Sequence, residues 1–327
     1  MLVNTVSLMI GFVVLIFAAD YFVKGSAAIA RNFGISPLII GLTIVGLGTS
    51  APEILVSSIS SWQGNAGLAV GNAIGSNIAN IGLVLGATAL ISPILIHSSI
   101  VRRELPILLV ISLASFGLII DGDLSFVDGA LLITALVLFL FWLAHAAKIS
   151  RQTLSDPLSQ EFSDEIPDNI PTSKALLYAL AGLIGLLLSS KLLVWAAVNI
   201  AVSFGISDLV IGLTIIALGT SLPELATSIA GVLKKESDLA IGNIIGSNIF
   251  NLLAVLCLPG LISPGAIDEN VILRDFPFML LMTILLLGLS CKVKGQSKLG
   301  RFKGLIMLSL FLGYLAKLYL DTVVTII

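Results

Sequence analysis

Of the 19 acidic residues in this 327-residue chain, only Glu53 and Glu224 fall well inside apolar segments. An ionised carboxylate in such a place costs at least about 2.5 kcal/mol on membrane-insertion scales, so it points to function before structure. Both acids sit in the same local sequence, GLGTSAPE and ALGTSLPE. Pro52 and Pro223 lack the N–H that would bond the carbonyls of Gly48 and Gly219, and Gly46, Gly48 and Gly219 weaken the helix nearby, so each helix is expected to kink or unwind there. Carbonyls freed at membrane depth are tolerated where they line a cavity or meet an ion, and carbonyl plus carboxylate oxygens are the ligands of hard cations. Thr49 and Thr220 precede their glutamates by four residues and share a helix face with them. A plain proline kink, or a carboxylate bonded only to helix backbone, is the structural alternative; the same acid beside the same breakers in two places argues against it.

A second motif also occurs twice, as GNAIGSNIAN and GNIIGSNIFN. Asn72, Ser76 and Asn80 recur at intervals of four, as do Asn243, Ser247 and Asn251, giving each helix a polar stripe. Ser76, Asn80, Ser247 and Asn251 read as ligand or site-shaping residues, with interhelical hydrogen bonding as the alternative. Asn77 and Asn248 point off the stripe and make weaker candidates. Gly71 with Gly75, and Gly242 with Gly246, have the small-xxx-small spacing that lets helices approach closely.

The elements that must hold these residues are membrane helices. Charged residues are 11% of the chain and the mean hydropathy is +1.11, against roughly 25% charged in a soluble domain. Apolar runs such as Leu124 to Ala144 and Ala175 to Ala197 reach the ~20 residues a helix needs to span a bilayer, without the alternation of a transmembrane barrel. The chain is therefore expected to be all-α. Five runs, near 4–24, 37–60, 67–92, 105–121 and 124–147, are followed by five more, near 174–203, 207–233, 239–263, 276–291 and 304–322. A polar linker over 148–173 divides a first five-helix repeat, 1–147, from a second, 174–327. The first run lacks a basic leader and a cleavage region, so it reads as a mature helix rather than a signal peptide.

A single offset of 171 residues aligns the halves without a gap: Phe33 to Glu53 over Phe204 to Glu224, and Leu68 to Asn80 over Leu239 to Asn251. This is an internal duplication. Five helices per half means that the second copy enters the bilayer from the opposite side, so the repeats are inverted, with a substrate site expected between them at the midplane. Lys and Arg gather in loops on one side, from Arg31, Arg102, Arg103 and Lys148 to Lys234, Lys235 and Lys298, and only Arg274 lies in a loop on the other. By the positive-inside rule the linker is cytoplasmic and both termini are periplasmic.

The paired GLTIVGLGTSAPE and GLTIIALGTSLPE segments with the two GSNI segments resemble the α-repeats of the cation/calcium exchanger superfamily, over essentially the whole chain. The resemblance implies ten transmembrane helices in two inverted-topology five-helix repeats with discontinuous α-repeat helices, in a compact bacterial member of the inner membrane. It implies that calcium is held by Glu53, Glu224 and the carbonyls of Thr49 and Thr220. Sodium positions would use the same acids with Ser76, Ser247, Asn80, Asn251 and the carbonyls of Gly46 and Ala217. The potassium-dependent branch typically carries Asp where this chain has Asn251, which speaks against a potassium requirement, and the absence of a long cytosolic insert speaks against allosteric calcium activation.

The expected function is thus secondary antiport of calcium for sodium by alternating access, with Ca²⁺ and Na⁺ as cargo and no cofactor. Calcium/proton antiport is the close alternative, because two glutamates could also carry protons; a passive cation channel is the alternative of another class. An intramembrane hydrolase built on Ser50 or Ser221 lacks a nearby base, since neither His97 nor His145 lies at that depth. No basic stripe suggests nucleic acid, no obligate protein partner is evident beyond the lipid bilayer, and Cys257 with Cys291 makes no disulfide framework. Asp20 and Lys191, repeat-equivalent but opposite in charge, could pair or snorkel. Trp62, Trp142 and Trp195 read as interfacial anchors.

Overall fold

The computed structural model describes residues 2–96, 100–153, 170–203, 217–291 and 297–326; His97, most of the linker and the segment 207–216 of the seventh apolar run lie outside this set. The first half comprises α1 (Leu2–Phe33), α2 (Pro37–Thr49), α3 (Ala51–Trp62), α4 (Ala66–Ile91), α5 (Leu105–Ile119) and α6 (Phe126–Thr153). The second comprises α7 (Thr172–Ser203), α8 (Ala217–Thr220), α9 (Leu222–Leu233), α10 (Ser237–Ile262), α11 (Val271–Ser290) and α12 (Arg301–Ile326). Among the described residues seven helices are long and apolar enough to cross a membrane, and α2–α3 forms an eighth span bent by 44°. With α5 and α8–α9 at their repeat-equivalent places, the architecture is the all-α, ten-helix inverted repeat.

Side-chain burial is that of a membrane protein. Large apolar residues face outward, such as Leu2 at 79%, Phe141 at 70% and Leu188 at 63% exposure, while Ser57, Asn243, Thr227 and both site glutamates are enclosed. Without water outside, apolar burial does not drive these helices together; close backbone approach and polar contacts do. The seam between α1 and α7 shows it. A Cβ on Gly25 would meet the backbone of Ala179, one on Gly182 the backbone of Phe22, and one on Gly11 would lie 2.8 Å from Leu193. As residue numbers rise along α1 they fall along α7, so these repeat-related helices run antiparallel, the geometric mark of inversion. α1 extends nine residues beyond its predicted end at residue 24, because GSAAIA continues the small-residue seam past Lys24.

Local sequence explains the boundaries. Ser36 caps α2 through its hydroxyl ahead of Pro37, Asn65 caps α4 by accepting from the Leu68 N–H at 3.1 Å, and Ser125 with Asp128 forms a reciprocal box at the start of α6. The α3–α4 turn places Gly64 at φ +76°, and the repeat-equivalent α9–α10 turn places Lys235 at φ +62°. Two short strand pairs tie loops together: β1 (Ile94–Ile96) with β4 (Ser297–Leu299), and β2 (Asp123–Leu124) with β3 (Gly265–Ala266), both antiparallel.

Candidate cation site

The site is built where two bent helices meet two straight ones. α2 ends at Thr49, Ser50 turns out of the helix with φ −81° and ψ 5°, and α3 begins at Ala51 with Pro52 in its first turn. Ser221, with φ −85° and ψ 3°, does the same between α8 and α9, with Pro223. The expected break is a sharp bend confined to one residue rather than a longer unwound stretch. Proline costs nothing in a first turn, where its missing N–H would have had no helical partner. Each bend places a glutamate in the first turn of the following half-helix, where the dipole favours negative charge.

Glu53 and Glu224 are 1% and 0% exposed. Ser50 Oγ and Ser247 Oγ each lie 3.4 Å from Glu224 Oε1, and the hydroxyls of Thr220 and Ser76 lie near the Glu53 carboxylate. Thr49 Oγ1 is 3.2 Å from Ser247 Oγ and donates to Asn243 Oδ1 at 2.9 Å. The Gly46 carbonyl accepts from Ser247 Oγ at 3.3 Å and from the Ser50 N–H at 3.0 Å. Ala217, its repeat equivalent, opens α8 three residues before Thr220, and the residues preceding it are outside the described set.

Asn80 and Asn251, each 1% exposed, begin π-helical turns in α4 (Asn80–Leu85) and α10 (Asn251–Val255). Such turns interrupt the α-helical hydrogen-bond ladder and recur at functional sites. They are part of the duplication, and nothing in the residue spacing announces them. Four buried oxygens in two repeat-related pairs have no hydrogen-bond partner among the described residues: Glu53 Oε2 with Glu224 Oε2, and Asn80 Oδ1 with Asn251 Oδ1. Burying an unpaired oxygen costs on the order of 1–3 kcal/mol, more when charged. Unpartnered carboxylate and amide oxygens gathered away from water suit a hard cation.

Two further pairs have roles that the residue patterns did not assign. Asn72 Nδ2 donates to the main-chain oxygen of Glu53 at 3.0 Å and to Ser57 Oγ at 2.9 Å; Asn243 Nδ2 does the same to Glu224 at 3.4 Å and Ser228 at 3.2 Å. Asn77 and Asn248, off the stripe, are nevertheless 1% exposed and bonded to Asn251 and Asn80 across the repeat boundary. The glycine expectation is met at Gly242 and Gly246. They pack against Leu38 and Leu42 of α2, whereas the repeat-equivalents of those leucines, Leu209 and Leu213, lie outside the described residues.

Asp20 pairs with Lys234 at 2.6 Å, not with Lys191, which lies exposed at a crevice beside α3. Trp62 and Trp195 are exposed, whereas Trp142 is held between Phe139 and the Arg103 guanidinium.

A buried cluster of two carboxylates, set by bent helices at the boundary of inverted repeats, is the arrangement of secondary cation transporters. The profile of the family described as sodium/calcium exchanger protein matches residues 3–144 and 174–320. CaxA of Alkalimonas amylolytica is 50% identical, over 96% of this chain and 98% of its own. The sodium/calcium exchanger MaX1 of Methanosarcina acetivorans is 30% identical, covering 97% and 99%. The solved structure of the sodium-calcium exchanger NCX_Mj soaked with Na⁺ and Ca²⁺ superposes with a TM-score of 0.81 at 35% identity, over 96% of this chain and 98% of that one. The chain belongs to the sodium/calcium exchanger family and is a membrane-spanning cation exchanger.

Proposed function

We propose that this protein exchanges calcium for sodium across the inner membrane by alternating access, through one site shared by its two repeats. The observation that carries the reading is the set of four buried oxygens, from Glu53, Glu224, Asn80 and Asn251, that have no partner among the described residues. Two carboxylates balance one Ca²⁺; the carbonyls of Thr49 and Thr220 at the two bends complete its oxygen shell. Na⁺ occupies positions made by the same acids with the hydroxyls of Ser76 and Ser247, the amide oxygens of Asn80 and Asn251, and the carbonyls of Gly46 and Ala217. Both families of contact use neutral oxygen to lower the desolvation cost that two acids alone would leave. The names of MaX1 and NCX_Mj, both sodium/calcium exchangers, support this assignment.

The proposed units are a first repeat over 1–147, a cytoplasmic linker over 148–173 and a second repeat over 174–327, with both termini periplasmic. The strand pairs support the sidedness: β1–β4 joins the loops that carry Arg102, Arg103 and Lys298, and β2–β3 joins those on the Arg274 side.

The test is calcium flux in vesicles under imposed sodium, potassium or proton gradients. A sodium gradient should drive flux, and replacing Ser76 and Ser247 together with Ala should move its sodium dependence to higher concentration with less effect on calcium affinity. Flux driven by protons alone, indifferent to sodium and to these substitutions, would replace this reading with calcium/proton antiport.

A further inference from the structure

We infer that Asn77 and Asn248 are positioning residues, each orienting the site amide of the opposite repeat so that its oxygen, not its nitrogen, faces the cation; the inference rests on the site proposed above. An asparagine amide presents oxygen on one side and NH₂ on the other, and a half-turn about its last bond exchanges them. For a cation ligand that exchange converts attraction into repulsion. Asn251 Nδ2 donates to Asn77 Oδ1 at 3.3 Å, and Asn80 Nδ2 donates to Asn248 Oδ1 at 3.2 Å. Each bond engages the nitrogen and leaves the oxygen of Asn251 or Asn80 unpartnered. All four side chains are 1% exposed, so water does not substitute for these contacts.

The two bonds cross the boundary between repeats in opposite directions. Asn77 and Asn248 are 171 residues apart, as are Asn80 and Asn251, so one interaction has been made twice by the duplication. The copies are not equally secured. Asn77 Nδ2 donates onward to Met279 Sδ at 3.4 Å, which fixes its own amide, whereas Asn248 Nδ2 has no partner among the described residues and the residue equivalent to Met279 is the apolar Leu108. Asn251 is therefore the more firmly oriented ligand of the two.

The test exploits a group that needs no orienting. A carboxylate carries oxygen on both sides, so Asn251→Asp makes the orientation of residue 251 irrelevant. Equilibrium Ca²⁺ and Na⁺ binding to the purified protein is measured for the parent, Asn77→Leu, Asn251→Asp, the double variant and Asn251→Ala. Asn77→Leu should weaken binding about tenfold in the parent, the scale of one misdirected ligand, and by less than about threefold in the Asn251→Asp background. Met279→Leu, which conserves volume, should weaken it in the same direction by a smaller factor. Equal losses from Asn77→Leu in both backgrounds would overturn the inference and leave Asn77 a packing residue. Unchanged binding in Asn251→Ala would overturn the site itself and the inference with it, and that result is distinguishable because it does not involve Asn77.

Discussion

The two repeats share one pattern of residues and one fold, yet they do not sit alike. α1 of the first repeat packs along α9 of the second, and Asp20 is tied to Lys234 at the end of that helix. At the equivalent place in the other half, α7 stands off from α3, and a crevice of about 500 Å³ lined by Pro52, Val56, Lys191, Val194 and Thr220 fills the interval. The residues equivalent to Asp20 and Lys234 are Lys191 and Gln63, which have no opposite charges to join. One copy of a duplicated gap is thus closed and the other open. If each repeat adopts the conformation of its mate, the closed gap opens and the open one closes, which is how inverted repeats store the two states of alternating access.

The packing of α10 on α2 supplies the first effect. Introducing Ala at Gly246 places its Cβ 2.7 Å from the Leu42 carbonyl, against backbone that cannot give way. Gly246→Ala should destabilise the protein by about 1–3 kcal/mol in thermal unfolding, as overpacking does. An unchanged unfolding temperature in Gly246→Ala would show that this contact has room to give.

The Asp20–Lys234 pair supplies the next effect. It is half-exposed, so its contribution is about 0–1 kcal/mol. Asp20→Asn should change the exchange rate by roughly two- to fivefold, the scale of that energy, and the reversed pair Asp20→Lys with Lys234→Asp should restore the parent rate. An unchanged rate in Asp20→Asn would remove the pair from the closure.

The smallest effect is at the turns. Lys235 holds a left-handed conformation that its equivalent, Gly64, adopts at no steric cost. Lys235→Gly should stabilise by no more than about 1 kcal/mol, and Gly64→Lys should destabilise by a similar amount. Opposite signs in the unfolding temperature check it.

How much of this could be read from residues alone follows from what encodes each feature. The duplication, the buried acids and the bends are written in residue types at fixed spacing, so the ten-helix inverted architecture was legible. The long α1 was not, because Lys24 ends its apolar run while the small residues that pack it on α7 continue. The π-turns at Asn80 and Asn251 were hidden because they alter backbone hydrogen bonding without a breaker residue. Asn77 and Asn248 were undervalued because helical periodicity assigns a residue to a face but does not say what lies across from it. Lys234 as the partner of Asp20 depends on which helices become neighbours, a tertiary fact with no local signal.

The central claim is that the repeats contribute halves of one cation site rather than a site each. Equilibrium binding of radioactive calcium to purified protein, with Glu53→Gln and Glu224→Gln measured separately, tests it most directly. Neutralising either acid leaves Ca²⁺ undercompensated in a low-dielectric setting. Each single variant should remain folded by size exclusion and lose essentially all calcium binding, at least about a hundredfold in affinity, the scale of one charge-assisted contact. Retention of half the bound calcium at parent affinity in each variant would contradict the account, because it would mean two independent sites.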